Sequence, residues 1–127
     1  MKGRKVIVGV TGGIAAYKAA ELVRLLVKEG AVTKVAMTRH ATKFITPLTL
    51  EALSGSRAVA DMWDPETHPL DHITWGQESE LIIIAPATAN FIGKMAHGIG
   101  DDFLSTLVIA ATARLLVCPS MNTQMYL

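Results

Sequence analysis

The fold is decided by residues 5–18, which read KVIVGVTGGIAAYK at the start of the chain. The first six residues are mostly β-branched and place apolar side chains on both faces, which is typical of a strand buried in a parallel sheet. Thr11, Gly12 and Gly13 interrupt this run, and apolar residues then recur at helical spacing as far as residue 29, with Gly30 as a stop signal. The stretch therefore predicts a strand, a tight turn and an amphipathic helix.

The rest of the chain repeats this alternation. Further strands are predicted over residues 33–38, 80–85 and 114–118. Further helices are predicted over residues 41–54 in two pieces divided at Pro47, residues 90–97 and residues 102–112. Residues 61–71 contain two prolines and are predicted to be a loop, and Pro86 is predicted to end the third strand. The pattern predicts an α/β fold, a three-layer, Rossmann-like (flavodoxin-like) parallel sheet with helices on both faces, in one domain over residues 1–127.

The composition excludes several classes of protein. Twelve basic and eleven acidic residues give a net charge of +1, which provides no basic stripe for a nucleic acid. The longest uncharged apolar run, residues 81–87, is far shorter than the roughly 20 residues that cross a bilayer. We therefore expect a soluble, cytoplasmic protein.

Half of the residues are hydrophobic, which for so short a chain predicts apolar surface that other subunits cover.

The single cysteine, Cys118, follows the apolar residues 115–117. One cysteine cannot form a disulfide framework within the chain. The pattern predicts a buried, reduced thiol and a reducing compartment.

Four predicted strand ends carry small, polar or kinked sequences, at the edge where parallel sheets bind ligands. They are residues 11–13, Thr38, residues 86–90 and residues 119–122. Gly12 and Gly13 would let backbone N–H groups approach a phosphate at a helix start, although a tight turn without a ligand is an equal interpretation. Thr38 could instead cap the helix that follows it. Thr88 or Asn90 could cap the helix predicted over residues 90–97.

Other candidate residues have both functional and structural interpretations. His72 suits proton transfer, but a histidine in a loop is more often ordinary surface, and His40, His68 and His97 compete with it. Asn122, flanked by two methionines, could hold a carboxylate, or both methionines could belong to the core. Arg39 and its neighbour His40 could help to bind an anion, but such exposed residues are more often solvated.

Together these segments resemble the homo-oligomeric flavin-containing cysteine decarboxylases, and among them the phosphopantothenoylcysteine decarboxylases of coenzyme A biosynthesis. The resemblance spans nearly the whole chain, and several motifs in one order make it more specific than any glycine pair. Its carriers are residues 9–18, 37–44, 72–73, 86–90, 98–102 and 119–125.

The resemblance implies FMN as the cofactor, bound between the subunits of a homotrimer. It places Gly12, Gly13, Ile14 and Thr38 near the phosphate and ribityl chain, and Thr88, Ala89, Asn90 and Ser120 near the flavin. It makes His72 the active-site histidine and Asn122 the residue that binds the substrate carboxylate. The implied reaction converts 4'-phosphopantothenoylcysteine to 4'-phosphopantetheine: the flavin oxidises the cysteine moiety to a thioaldehyde, carbon dioxide leaves, and the flavin returns the electrons.

Three departures from the family pattern limit this interpretation. Phe91 replaces the last hydroxyl residue of the family's PASANT motif, and Tyr126 stands where its PxMNxxMW motif ends in tryptophan. The family's substrate-covering flap, with its protonating cysteine, lies downstream of the asparagine motif, whereas this sequence ends at Leu127. We therefore expect a domain truncated at its C-terminal end. An FMN-binding module without turnover and a flavin prenyltransferase stay open, although His72 together with Asn122 favours the decarboxylase over the prenyltransferase.

Overall fold

A computed structural model of the protein describes residues 1–64, 67–68 and 70–120. Its strands are β1 (Lys5–Val10), β2 (Val32–Met37), β3 (Ala58–Val59), β4 (Leu81–Ala87) and β5 (Arg114–Pro119). They form one parallel sheet in the order β3-β2-β1-β4-β5. This is the strand order of a Rossmann fold, and it differs from the 2-1-3-4-5 order of flavodoxin. The predicted three-layer, Rossmann-like architecture is confirmed.

Helices cover both faces of the sheet. They are α1 (Tyr17–Lys28), α2 (Pro47–Ser54), α3 (Asp71–Glu78), α4 (Ala89–His97) and α5 (Phe103–Ala110), with short 3₁₀ helices at Ile14–Ala16 and His40–Lys43. Pro47 begins α2 as predicted, because a proline in the first turn loses no helical hydrogen bond. Gly30 follows α1 with φ 86°, the left-handed conformation that a helix stop requires.

Alternate residues of β1 belong to two separate cores. Val8 packs on one face with Val23 of α1 and Leu50 of α2. On the other face lies Ile7, in the same cluster as Phe103 and further side chains of α3, α4 and α5. This arrangement explains why β1 reads as a continuous apolar run: both of its faces are covered.

Two predicted boundaries around the site are wrong. β4 does not end at Pro86 but continues to Ala87, where its pairing with β5 shifts register. A proline is tolerated at such an irregularity because no ladder donor is needed there. The predicted loop over residues 61–71 gives way at Asp71 to α3, and the two-residue strand β3 was not predicted. Helix α3 buries only Trp75 and Gly76, so it lacks the broad apolar stripe by which a helix is recognised.

The prediction of a buried Cys118 is also wrong. Cys118 is exposed on β5, the edge strand of the sheet, and so are its neighbours Leu115 and Leu116. Ile109 on α5 is exposed as well. Among the described residues, Leu115 and Leu116 therefore lie exposed at the sheet edge, whereas Val117 packs against the core. Within the described ranges, no helix is both long and apolar enough to cross a membrane.

Candidate functional site

The carboxyl ends of β1, β2 and β4 meet at one edge of the sheet. Strand β1 pairs with β2 on one side and with β4 on the other, so the chain connections diverge there and leave a crevice. The N–H of Thr38 donates to the carbonyl of Val10 at 3.0 Å, and the N–H of Thr11 donates to the carbonyl of Pro86 at 3.3 Å. These bonds hold the three strand ends side by side.

The buried hydroxyl of Thr11 fixes the turn after β4. It donates to the Pro86 carbonyl at 2.5 Å and accepts from the Thr88 N–H at 3.0 Å. The Thr88 hydroxyl in turn accepts from the Phe91 N–H at 3.3 Å and caps α4, as one interpretation of the sequence predicts. The Thr38 hydroxyl likewise accepts from the Ala41 N–H at 3.2 Å. Both threonines thus have a structural role at the edge of the crevice.

Substituting Thr11 by valine is expected to lower the free energy of unfolding by about 1–3 kcal/mol, because the Thr88 N–H and the Pro86 carbonyl lose their hydroxyl partner inside the fold. Urea denaturation measures the change. Thr11→Ser should recover most of the stability, since it keeps the hydroxyl. Thr112→Val, at an exposed threonine, is the matched control. Equal stabilities of Thr11→Val and Thr112→Val would contradict the role of this hydroxyl.

The crevice is a cavity of about 370 Å³, called the strand-end cleft here. It brings together four of the predicted site residues: Gly12, Thr38, Thr88 and Asn90. The complete lining is Thr11, Gly12, Thr38, Arg39, His40, Thr88, Asn90, Phe91, Lys94 and Asp102. The prediction that ligand-binding residues gather at the ends of the strands is consistent with this geometry.

Gly12 and Gly13 present unused backbone donors at the turn after β1. Their N–H groups make no hydrogen bond with the part of the chain that the structure describes. A Cβ atom on Gly12 would lie 2.5 Å from Cδ2 of His40, and one on Gly13 would lie 3.5 Å from Cγ2 of Thr88. Glycine is therefore required at residue 12 by the closeness of His40, and the free donors suit an anion.

The remaining predicted cofactor residues lie around this turn or beyond it. Ile14 is 83% exposed, and Ala89 is exposed at the first position of α4. Ser120 donates its N–H to the Ala87 carbonyl at 3.0 Å and lines a different cavity, on the α1 side of β4, together with Lys18. Asn122 lies outside the described residues.

His72 lines a second cavity, of about 580 Å³, called the histidine cleft here. Its lining is Arg39, Ala60, Asp61, Met62, Trp63, His72, Lys94, Gly100, Asp101, Asp102, Phe103 and Thr106. The two clefts adjoin, because Arg39, Lys94 and Asp102 line both. His72 makes no hydrogen bond with the described residues, so its ring is available to a ligand. The three other histidines do not line this cleft.

Helix α3 holds His72 in its first turn, so the predicted loop position of this residue is corrected. Packing against α5 places the helix: the rings of Trp75 and Phe103 meet edge to face at 5.3 Å. A Cβ atom on Gly76 would lie 3.2 Å from the Leu107 carbonyl oxygen, so the two helix backbones approach closely. Helix α3 is therefore held against α5. His72, which is half-buried, lies on this helix at the wall of the histidine cleft.

Residues 98–102 are one of the motifs that carry the family resemblance, and the sequence alone predicts no role for them. In the structure they connect α4 to α5, and Gly100, Asp101 and Asp102 line the histidine cleft. Lys94 donates to Asp101 at 3.0 Å, and this ammonium group lowers the pKa of the Asp101 carboxyl. Asp102 accepts from the Ser105 N–H at 2.8 Å and caps α5. The Thr106 hydroxyl is buried without a hydrogen-bond partner in the described part of the protein, and it too lines the histidine cleft.

The same family and fold are found by comparison with known proteins. Relatives include the coenzyme A biosynthesis bifunctional protein CoaBC of Vibrio cholerae serotype O1, 46% identical over 99% of this chain and 32% of the relative. The CoaBC protein of Escherichia coli strain K12 is also 46% identical, over 99% of this chain and 31% of the relative. The chain thus spans about a third of the length of these curated relatives.

Solved structures of similar fold support the same family. The FMN-dependent cysteine decarboxylase SpaF superposes with a TM-score of 0.89 at 32% identity, over 97% of this chain and 71% of that one. A PPC decarboxylase mutant complexed with pantothenoylaminoethenethiol superposes with a TM-score of 0.81 at 27% identity, over 98% of this chain and 71% of that one. The family model for flavoproteins matches residues 1–127. Because this match covers the whole sequence, the chain belongs to the flavoprotein family.

Proposed function

We propose that the protein binds FMN in the strand-end cleft and decarboxylates 4'-phosphopantothenoylcysteine to 4'-phosphopantetheine in coenzyme A biosynthesis. The observation that carries the proposal is that the strand-end cleft and the histidine cleft adjoin through Arg39, Lys94 and Asp102. A cofactor in the first cleft would therefore lie beside His72 in the second. The names of the relatives, coenzyme A biosynthesis proteins and FMN-dependent cysteine decarboxylases, support the choice of reaction.

The residues of the strand-end cleft fit FMN. Gly12 and Thr38 line this cleft, and Gly13 and Ile14 follow Gly12 in the same turn; the four residues would lie near the phosphate and ribityl chain, where the free N–H groups of Gly12 and Gly13 suit the phosphate. Thr88, Ala89 and Asn90 begin α4 beside the cleft and would meet the flavin ring. Ser120 lies in a different cavity, so its flavin contact stays a prediction. Bound FMN would supply the oxidation of the cysteine moiety, and the protein would supply binding and orientation.

His72 would exchange a proton with the substrate. An imidazole can accept a proton on one ring nitrogen and donate from the other, and the ring of His72 has no competing partner among the described residues. Phe103 and Thr106 of α5 line the same cleft, so α5 would form one side of the space in which this exchange takes place. Asn122 would bind the substrate carboxylate, which stays a prediction.

We further propose a homotrimer, or a multiple of it, in the cytoplasm, with FMN between subunits. Exposed Leu115, Leu116 and Ile109 offer apolar surface for such contacts. A monomeric mass measured by light scattering for protein that still binds FMN tightly would contradict the site between subunits.

Two measurements on the purified full-length protein test the proposed activity. We expect the protein to be yellow with FMN and to release carbon dioxide from 4'-phosphopantothenoylcysteine. Protein stripped of its flavin is the control, and activity should return when FMN is added. FMN binding without carbon dioxide release would instead identify an FMN-binding module, and carbon dioxide release by the stripped protein would contradict the role of the flavin.

A further inference from the structure

We propose that Arg39 binds a phosphate monoester in this site, either that of the substrate or that of FMN. The proposal rests on the proposed function and adds a residue that recognises its ligands. Phosphate is the shared chemistry, because both proposed ligands carry a terminal phosphate monoester and the two clefts that would hold them meet at Arg39.

The position of Arg39 is the first support. It follows Thr38 at the end of β2 and precedes the 3₁₀ helix His40–Lys43. Its backbone carbonyl accepts from the Thr42 hydroxyl at 2.6 Å, so the backbone is held while the side chain reaches outward. Because the residue lines both clefts, its side chain is available to a ligand in either.

The charges around Arg39 are the second support. Arg4, Arg24 and Arg57 each form an ion pair with a carboxylate, at 2.5–2.6 Å. Within the described residues Arg39 forms none. Lys94, the other cation that lines both clefts, is already bonded to Asp101. Arg39 therefore contributes a cation that forms no ion pair with the described residues, at a junction of the clefts whose lining also includes the Asp102 carboxylate.

The shape of the guanidinium group makes phosphate the fitting ligand. Its planar fork of donors matches two phosphate oxygens at once, and a doubly charged anion gains more from it than a neutral group does. Gly12, whose N–H makes no hydrogen bond with the described residues, lines the strand-end cleft together with Arg39, so a second donor is available to an anion there. An exposed arginine that is merely solvated would show no preference for phosphorylated ligands.

Two pairs of ligands test the proposal and distinguish the sources of the phosphate. Dissociation constants are measured for FMN and riboflavin, and KM for 4'-phosphopantothenoylcysteine and its unphosphorylated counterpart. We expect Arg39→Gln to weaken the phosphorylated member of one pair by about 10- to 100-fold, the equivalent of a charge-assisted hydrogen bond, and to leave its partner unchanged. Arg39→Lys should recover part of the loss. Arg114→Gln is the matched control, because Arg114 is exposed at the first position of β5, at the end of the strand away from the clefts.

The outcomes separate this proposal from the proposed function. A changed ratio of the dissociation constants of FMN and riboflavin assigns Arg39 to the cofactor. A changed ratio of the KM values of the phosphorylated and unphosphorylated substrates assigns it to the substrate. Equal losses for both members of each pair, or no more effect than Arg114→Gln, overturn the proposal even when the wild-type protein releases carbon dioxide. If the wild-type protein has no decarboxylase activity, the flavin pair still decides, because it needs no turnover.

Discussion

Substitution of His72 by asparagine is expected to lower the rate of carbon dioxide release by at least about 100-fold while FMN stays bound, because general acid–base catalysis contributes about 10²–10⁴-fold. Asparagine keeps a polar side chain of similar size but cannot exchange a proton near neutral pH. The flavin should be retained, since His72 lines the histidine cleft and not the strand-end cleft. Steady-state release of carbon dioxide and the visible absorption of the purified variant measure the two effects.

His97→Asn is the matched control for this variant. His97 is exposed at the end of α4 and lines neither cleft, so its replacement should leave turnover unchanged. Full turnover by His72→Asn would refute the catalytic assignment. Loss of flavin together with activity would show that His72 supports the cofactor site and not the proton transfer.

Substitution of Gly12 by alanine is expected to reduce FMN binding at least about tenfold, because a new methyl group cannot fit between the turn and His40 without a shift of backbone or ring. The new Cβ atom would lie 2.5 Å from Cδ2 and 2.7 Å from Cβ of His40, distances that real contacts do not reach. Either the Gly12 N–H turns away from the bound phosphate or the 3₁₀ helix His40–Lys43 moves. Titration of flavin-free protein with FMN measures the loss.

Two further variants separate this contact from the general effect of a methyl group. Gly93→Ala is the matched control, because a Cβ atom there meets no atom within 4 Å and lies inside α4, where alanine is the better helix former. In the double variant Gly12→Ala with His40→Gly the obstructing side chain is gone, so FMN binding should largely return. Equal binding by Gly12→Ala and wild type would show that the turn does not contact the phosphate.

The fold was largely predictable because its signals are local. The apolar run of β1, the two glycines after it and the helical spacing of α1 lie next to each other in sequence. The sequence does not predict helix α3, because its buried side consists of one tryptophan and one glycine. Gly76 suits its place because the Leu107 carbonyl oxygen of α5 lies 3.2 Å from where a Cβ atom would be. A contact between residues so far apart in sequence leaves no periodic signal.

The same distinction applies to the site. The rule that ligands bind at strand ends located Gly12, Thr38, Thr88 and Asn90 in one cleft. It could not locate the histidine cleft, whose wall requires α3 to pack on α5. The sequence indicates only that Arg39 is an exposed residue beside a turn, because its place between two cavities depends on α4, which begins 50 residues further along the chain.

The bond from the Thr11 hydroxyl to the Pro86 carbonyl spans 75 residues of sequence. The strand-end cleft therefore comes into existence only when β1 and β4 have paired and enclosed the intervening strands and helices as one long loop. Closing such a loop costs entropy before any of its contacts are gained, which makes long-range pairing slow compared with helix formation. During refolding, the return of FMN binding should consequently lag behind the helical circular dichroism signal and report the arrival of the complete sheet.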